Sequence, residues 1–144
     1  DRAAVTYRNG FLVDLPHWSR DDPDRLVASE LQQWLKQRAR RDVLDTAAAL
    51  GKRHQFEPRS IRVTDLAQGW GSCGPEGNIL VNWQLIFAPR KVLDYVVAHE
   101  MAHLRHRSHG PEFWSFLGRI MPRYEAPKGW LETHQHSLSD KFLR

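Results

Sequence analysis

The sequence predicts an α+β fold in which a small antiparallel sheet packs with a long N-terminal helix and a second, largely apolar helix. Apolar residues recur at helical spacing from 27 to 50. Apolar and polar residues alternate with a period of two at 61–64, which is typical of a half-buried strand. A third segment, 92–104, is apolar on most sides, and such a helix is usually buried.

Length and composition indicate a single soluble domain, 1–144, with an N-terminal part at 1–57 and a C-terminal part at 58–144. Hydrophobic residues make up 41% of the chain and charged residues 26%, the balance of a globular protein. No stretch approaches the ~20 apolar residues that a membrane span needs. The one cysteine, Cys73, excludes an internal disulfide and fits a reducing compartment, so we expect a cytoplasmic protein. The oligomeric state does not follow from composition.

The N-terminal part is predicted to form a hairpin and a long helix. The hairpin covers 4–15 and turns at the Asn-Gly pair at 9–10, because both positions of such a turn must tolerate φ > 0. The helix is expected to begin at Pro23 with Asp22 as its N-cap. We expect it to end at Gly51, since glycine commonly follows the last helical residue.

The C-terminal part is predicted to form three strands and then helices. Pro58 opens the first strand, and residues 70–73 and 79–83 form two more, joined by a turn rich in glycine and proline. Pro89 suits the first turn of the buried helix. We expect that helix to continue until Gly-Pro at 110–111 breaks it.

Two further helices are expected after this break. The first ends at Pro122, and a short last helix runs from about Lys128 through His134. We interpret Trp70, Trp83 and Trp114 as core residues rather than substrate contacts, because large aromatic side chains are mostly buried.

The most informative pattern is the HExxH sequence formed by His99, Glu100 and His103 in the buried helix. Side chains four residues apart project from the same helix face, one turn above the other. Two imidazoles so placed can bind one ion, with Zn–N distances of about 2.0–2.1 Å. Glu100 lies beside the first histidine and is placed to act as a general base. The pattern therefore predicts a catalytic metal site.

A third ligand is needed, and His109 is the candidate that the geometry favours. It precedes the Gly-Pro break, where the chain must turn, so its side chain can return to the metal. His106 lies about 10 Å further along a straight helix than His99, too far for one tetrahedral ion. Glu112 is expected in the first turn of the next helix. Both His106 and Glu112 stay as alternatives.

Three protein ligands with one open position are typical of catalytic zinc. Imidazole suits Zn²⁺, although other transition metals bind it as well. We therefore predict a zinc-dependent hydrolase, in which Glu100 takes a proton from a zinc-bound water as that water attacks a carbonyl. The rival is a nucleic-acid-binding module with a structural zinc, whose fourth ligand would be Cys73, His106 or Glu112.

The chain is basic, with a formal net charge of +4 and a pI near 9.6. Much of the excess is local, at 36–41 and at Arg105 and Arg107. A basic surface is compatible with nucleic acid or acidic substrates as partners. We favour the simpler interpretation, an ordinary solvated helix face.

Two runs resemble the YgjP-like metal-dependent hydrolases and their relatives, the SprT-like zinc proteases: HEMAHLRHRSHGPEFW and, before it, WGSCGPEGNILVNWQLIFAPRKVLDYVVAHE. The resemblance covers roughly residues 58–135. It implies a minimal zincin fold with a long helix, a three-stranded sheet, the metal helix and a following helix that delivers the third histidine. It also implies metallopeptidase activity on a polypeptide substrate, with His99, His103 and His109 as ligands and Glu100 as base.

The resemblance has gaps and adds a further alternative. Family members often carry a basic residue just before the tryptophan of Trp-Gly-Ser-Cys, where this chain has Gly69, and residues 1–57 match only loosely. Some SprT-like proteases act on proteins crosslinked to DNA, so a protease of DNA-bound proteins is an alternative that the net charge permits.

Substrate contacts are predicted at the sheet. In zincins a peptide can pair as an added strand at the sheet edge near the metal. Our candidate edge is Ile79–Asn82, with Ile79, Val81 and Asn82 as contacts, although this segment reads equally well as an ordinary core strand. Gly71 lacks a side chain, which permits another backbone to approach closely or marks a bulge.

Overall fold

A computed structural model of the chain describes residues 4–7, 11–14 and 23–139, with side chains described from 24 to 134. Strands β1 (Ala4–Tyr7) and β2 (Phe11–Asp14) pair antiparallel, which confirms the strands of the predicted hairpin. The predicted Asn-Gly turn and the predicted cap at Asp22 lie outside the described residues.

The long helix α1 runs from Pro23 to His54, one turn beyond the predicted end at Gly51. The amides of Gln55 and Phe56 both donate to the Gly51 carbonyl, at 2.8 and 3.2 Å, and Gln55 takes the left-handed conformation with φ of 59°. A Cβ on Gly51 would lie 2.6 Å from the Phe56 carbonyl oxygen. Gly51 is therefore needed for the close approach of the returning chain, whereas the helix ends three residues later.

The three strands of the main sheet are β3 (Ser60–Thr64), β4 (Gly71–Cys73) and β5 (Asn78–Asn82). Their order is β3-β5-β4, with β3 parallel to β5 and β4 antiparallel to it. The prediction of an antiparallel sheet is wrong, because the β4–β5 hairpin docks on β3 through its second strand. Alternation along a strand indicates its two faces but not its neighbours.

The same strand order overturns the predicted edge. Residues 79–82 belong to β5, which is paired on both sides. Ile79 and Val81 are fully buried, and Asn82 is 1% exposed. Among the described strands of this sheet, β3 and β4 are the edges, and β4 is the edge that contacts α2.

A 3₁₀ helix, Trp83–Phe87, leads into α2 (Arg90–Ala102), which is followed by α3 (Pro111–Ile120) and α4 (Glu125–Ser139). Helix α2 ends eight residues before the predicted Gly-Pro break, so a loop, 103–110, separates it from α3. Helix α4 begins before the predicted Lys128, because a proline such as Pro127 is tolerated in the first turn of a helix. It also continues beyond the predicted end at His134.

Helix α2 lies at the centre of the fold and contacts α1, α3, α4 and the sheet. Nine of its thirteen residues are buried, as its apolar composition predicted. Thr46 of α1 donates to Asp94 of α2 at 2.7 Å, and the Arg90 guanidinium binds Asp94 and Asp42. Within the described residues, no helix is both long and apolar enough to span a membrane.

We expect Gly51→Ala to lower the free energy of unfolding by about 1–3 kcal/mol, because its Cβ would press on the Phe56 carbonyl. Gly129→Ala in α4 is the matched control: its Cβ meets nothing within 4 Å, and alanine favours helix by about 1 kcal/mol. Chemical denaturation measures both. Equal stability of Gly51→Ala and wild type would show that the α1 terminus yields without cost.

Candidate metal centre

Helix α2 carries the HExxH pattern on its last turn. His99 and Glu100 are helical, and His103 is the C-cap residue, with φ −66° and ψ −14°. His103 therefore keeps a helical backbone and stays one turn above His99, as the spacing predicted. Their ring centroids lie 5.1 Å apart.

The loop that follows α2 returns His109 to these two rings. The Nε2 atom of His109 lies 3.1 Å from His103 Nε2 and 3.2 Å from His99 Nε2. All three ligand atoms fall within 4.8 Å of one another. Ligand nitrogens around a tetrahedral zinc are about 3.3 Å apart, given Zn–N distances of about 2.0–2.1 Å. The three imidazoles therefore converge as an ion would require.

The alternative ligands lie elsewhere. His106 Nδ1 is 3.9 Å from the Glu112 carboxylate, outside the cluster. Cys73 contacts Arg107, whose guanidinium lies 3.6 Å from its Sγ. Among the described residues, the ligand cluster contains His99, His103 and His109 alone.

Neighbouring groups orient two of the rings. His103 Nδ1–H donates to the His106 carbonyl at 2.9 Å, which leaves Nε2 with a free lone pair. The Tyr95 hydroxyl lies 3.4 Å from His99 Nδ1. Metal-binding histidines usually donate their second nitrogen in this way, which fixes tautomer and orientation. Both contacts leave Nε2 facing the common point.

Phe113 of α3 packs against all three imidazoles. Its ring centroid lies 4.9 Å from His99, 4.5 Å from His103 and 4.9 Å from His109, and the side chain is fully buried. The neighbouring Trp114 donates from Nε1 to the His109 carbonyl at 3.1 Å. Helix α3 thus positions His109 through contacts of Phe113 and Trp114. His109 itself precedes α3, whereas the resemblance implied that the helix delivers the third histidine.

Arg107 ties the loop 103–110 to strand β4. Its guanidinium donates to the Cys73 carbonyl at 2.9 Å and to the Gly74 carbonyl at 3.2 Å. Because Arg107 lies two residues before His109, these bonds restrain the path of the third imidazole. The basic residue that sequence analysis assigned to a surface charge therefore has a structural partner.

Burial shifts the pKa values of His99 and Glu100 in opposite directions, in each case toward the neutral form. It lowers the pKa of His99 to about 4, with further lowering by His103, His109 and Lys128. His99 is therefore neutral near pH 7, the form that binds metals. Burial also raises the pKa of Glu100 to about 7, which the positive charge of Arg107 partly offsets.

Strand β4 lies directly beside Glu100. A Cβ on Gly71 would lie 3.0 Å from Glu100 Cγ and 3.1 Å from the Leu80 carbonyl oxygen, so this close approach requires glycine. Of the predicted substrate contacts, Gly71 is the one at the site. Asn82 instead caps the 3₁₀ helix, accepting from the Gln84 amide at 3.1 Å.

A cavity of about 520 Å³ opens beside the imidazoles, and we call it the α4 cavity. Its lining comprises Trp70, Gly71, Tyr95, Val96, His99, Glu100, His109, Trp114, Lys128, Leu131 and Glu132. Two tryptophans that we predicted as core therefore line the site, while Trp83 is buried as predicted.

Sequence analysis did not single out Tyr95, Phe113, Lys128 or Glu132 for the site. Tyr95 had a readable signal, because it precedes His99 by four residues and so shares its helix face. The α4 residues had none, since their approach to the cavity depends on how α4 packs on α2.

Comparison with known proteins places this arrangement in context. The zymogen of the Pyrococcus abyssi metallopeptidase abylysin matches with a TM-score of 0.56 and 18% identity, over 63% of this chain and 92% of that one. The zymogen of Methanocaldococcus jannaschii jannalysin matches with a TM-score of 0.55 and 18% identity, over 66% and 96%. These likenesses show a shared fold.

A search of curated protein sequences found no match. The family model described as YgjP-like, metallopeptidase domain, matches residues 15–134, which is most of the chain. The protein therefore belongs to the YgjP-like metallopeptidase family.

Proposed function

We propose that the protein hydrolyses peptide bonds, with Zn²⁺ bound by His99, His103 and His109 and with Glu100 as general base. The observation that carries the proposal is the convergence of three Nε2 atoms beside a buried carboxylate. Membership of the metallopeptidase family supports the reaction class.

The residues present fit a catalytic zinc ion. Three imidazoles, two of them with a second nitrogen in contact with a neighbouring group, form a nitrogen ligand set that suits zinc. When bound, the ion polarises the scissile carbonyl and lowers the pKa of the attacking water. The α4 cavity leaves room for both on the side of His99 and His109.

Glu100 supplies the proton transfer. Its carboxylate accepts a proton from the attacking water and donates it to the leaving amine. Burial supports this role, because a carboxylate with a pKa raised to about 7 takes up a proton readily near neutral pH. Close packing against Gly71 restricts its side chain.

The free edge of β4 offers backbone groups to a substrate strand. Trp70 and Gly74 bond to β5, as the Asn82 amide donates to the Trp70 carbonyl and the Gly74 amide to the Asn78 carbonyl. Bonded pairs alternate along an antiparallel ladder, so Gly71 and Cys73 point their N–H and C=O groups away from β5, whereas Ser72 points its groups toward Leu80. Arg107 already occupies the Cys73 carbonyl. We therefore assign backbone recognition of the substrate chiefly to Gly71.

The rival with a structural zinc has less support. A structural zinc normally has four protein ligands, and the cluster found among the described residues has three. Action on DNA-bound proteins depends on the basic surface and has no support of its own in the site geometry.

We expect His109→Ala to weaken zinc binding by at least about 100-fold, because loss of even an outer-shell contact can cost that much. His106→Ala is the matched control, since its side chain lies outside the cluster. Competition with a chromogenic chelator measures both affinities. Equal zinc affinity of His109→Ala and wild type would remove His109 from the ligand set.

We expect Glu100→Gln to lower the rate of peptide hydrolysis by about 10²–10⁴-fold, because the amide cannot accept the proton of water. Zinc affinity is expected to stay near the wild-type value, since Glu100 is not a ligand. Cleavage of an unfolded protein, with a chelator control, provides the measurement. Equal cleavage by both proteins would show that Glu100 is not the base.

We expect Arg107→Gln to weaken zinc binding about 3–10-fold, because the loop would lose charge-assisted hydrogen bonds to β4 that solvent exposure already weakens. Arg123→Gln removes the same charge from an exposed position in the turn before α4 and is the control. The chelator competition applies again. If both variants bind zinc like wild type, Arg107 does not position His109.

A further inference from the structure

One wall of the α4 cavity carries a charge pair that the proposed reaction does not use. Lys128 and Glu132 of α4 both line the cavity, and Lys128 Nζ donates to Glu132 Oε2 at 2.8 Å. Lys128 Nζ also lies 5.5 Å from the centroid of the Trp114 ring, within cation–π range. The pair faces the same space as His99 and Glu100. A substrate residue next to the scissile bond must therefore pass close to it.

The remaining walls of the α4 cavity are largely apolar. Trp70, Val96, Trp114 and Leu131 supply aromatic and aliphatic surface, with Tyr95 beside them. A volume of about 520 Å³ lies in the range of pockets that enclose small ligands, so a large side chain can enter. The two opposite charges are four residues apart on one helix and compensate each other. Away from His99, Glu100 and His109, the cavity walls are thus largely apolar, and the Lys128–Glu132 pair adds no net charge.

We propose that the Lys128–Glu132 pair determines substrate specificity, and that the α4 cavity takes a large uncharged side chain adjacent to the scissile bond. The inference rests on the proposed peptidase function. With the pair intact, an acidic or a basic side chain in the cavity meets one like charge and one opposite charge and gains little. An apolar or aromatic side chain gains from leaving water.

Removing one partner should expose the charge of the other to the substrate. Glu132→Gln leaves Lys128 unpaired and should add acidic residues to the accepted set. Lys128→Gln leaves Glu132 unpaired and should add basic ones. The first shift should be the larger, because the Lys128 side chain is 34% exposed and that of Glu132 is 65% exposed, so solvent screens Lys128 less.

The experiment profiles cleavage of a mixed decapeptide library with zinc present. Wild type is expected to favour large apolar or aromatic residues at one of the two positions flanking the cut. Glu132→Gln should raise relative cleavage at acidic residues in that position about 3–10-fold. The charge exchange Lys128→Glu with Glu132→Lys should restore the wild-type profile. Glu125→Gln is the matched control: it makes the same charge change on α4, away from the cavity lining.

Binding separates failure of this inference from failure of the proposed function. In a Glu100→Gln background, three peptides that differ only by Phe, Glu or Lys at the selected position are titrated by fluorescence anisotropy. Tighter binding of the Glu peptide after the added Glu132→Gln change supports the specificity role, even if none of the proteins cleaves a peptide. Cleavage by wild type with identical profiles in all variants would overturn it. Absence of cleavage together with unchanged binding would reject both proposals.

Discussion

Three imidazole nitrogens meet at one point because helix α2 ends at Ala102 and the chain reverses. Had the helix continued, the next histidine on that face, His106, would have moved about 10 Å along the axis, beyond the reach of a tetrahedral ion. His103 keeps helical dihedrals as the last residue of the turn, and the loop after it brings back His109. The position of the helix end thus decides which histidine joins His99 and His103 in the cluster.

The reversal is held on two sides. Toward the sheet, Arg107 bonds to β4 carbonyls, and toward α3, the Trp114 indole bonds to the His109 carbonyl. The ring of Phe113 fills the space beneath the imidazoles. The loop 103–110 has little regular structure of its own, so its geometry derives from these side-chain contacts with rigid elements.

Sequence reasoning was effective where one residue pattern determines geometry. The spacing of His99 and His103 on a helix, and the helix-breaking Gly-Pro pair after His109, predicted the cluster that the structure contains. It failed where position depends on packing between distant segments. The order of the strands, the exact end of α2 and the approach of α4 to the cavity follow from which surfaces bury best together, and local periodicity does not contain that information. Gly51 shows the same limit, because its close neighbour Phe56 lies beyond the end of the helix.

Contact of one aromatic ring with all three imidazoles has a consequence for how the site is assembled. Each of the three imidazoles packs against a side chain of the hydrophobic core, the fully buried Phe113. Part of the conformational entropy of these side chains is then lost during folding rather than during ion capture. Because the cluster is assembled only in the folded chain, occupancy of the site by an ion and stability of the fold are thermodynamically linked. An ion that binds the native chain therefore also protects it from unfolding.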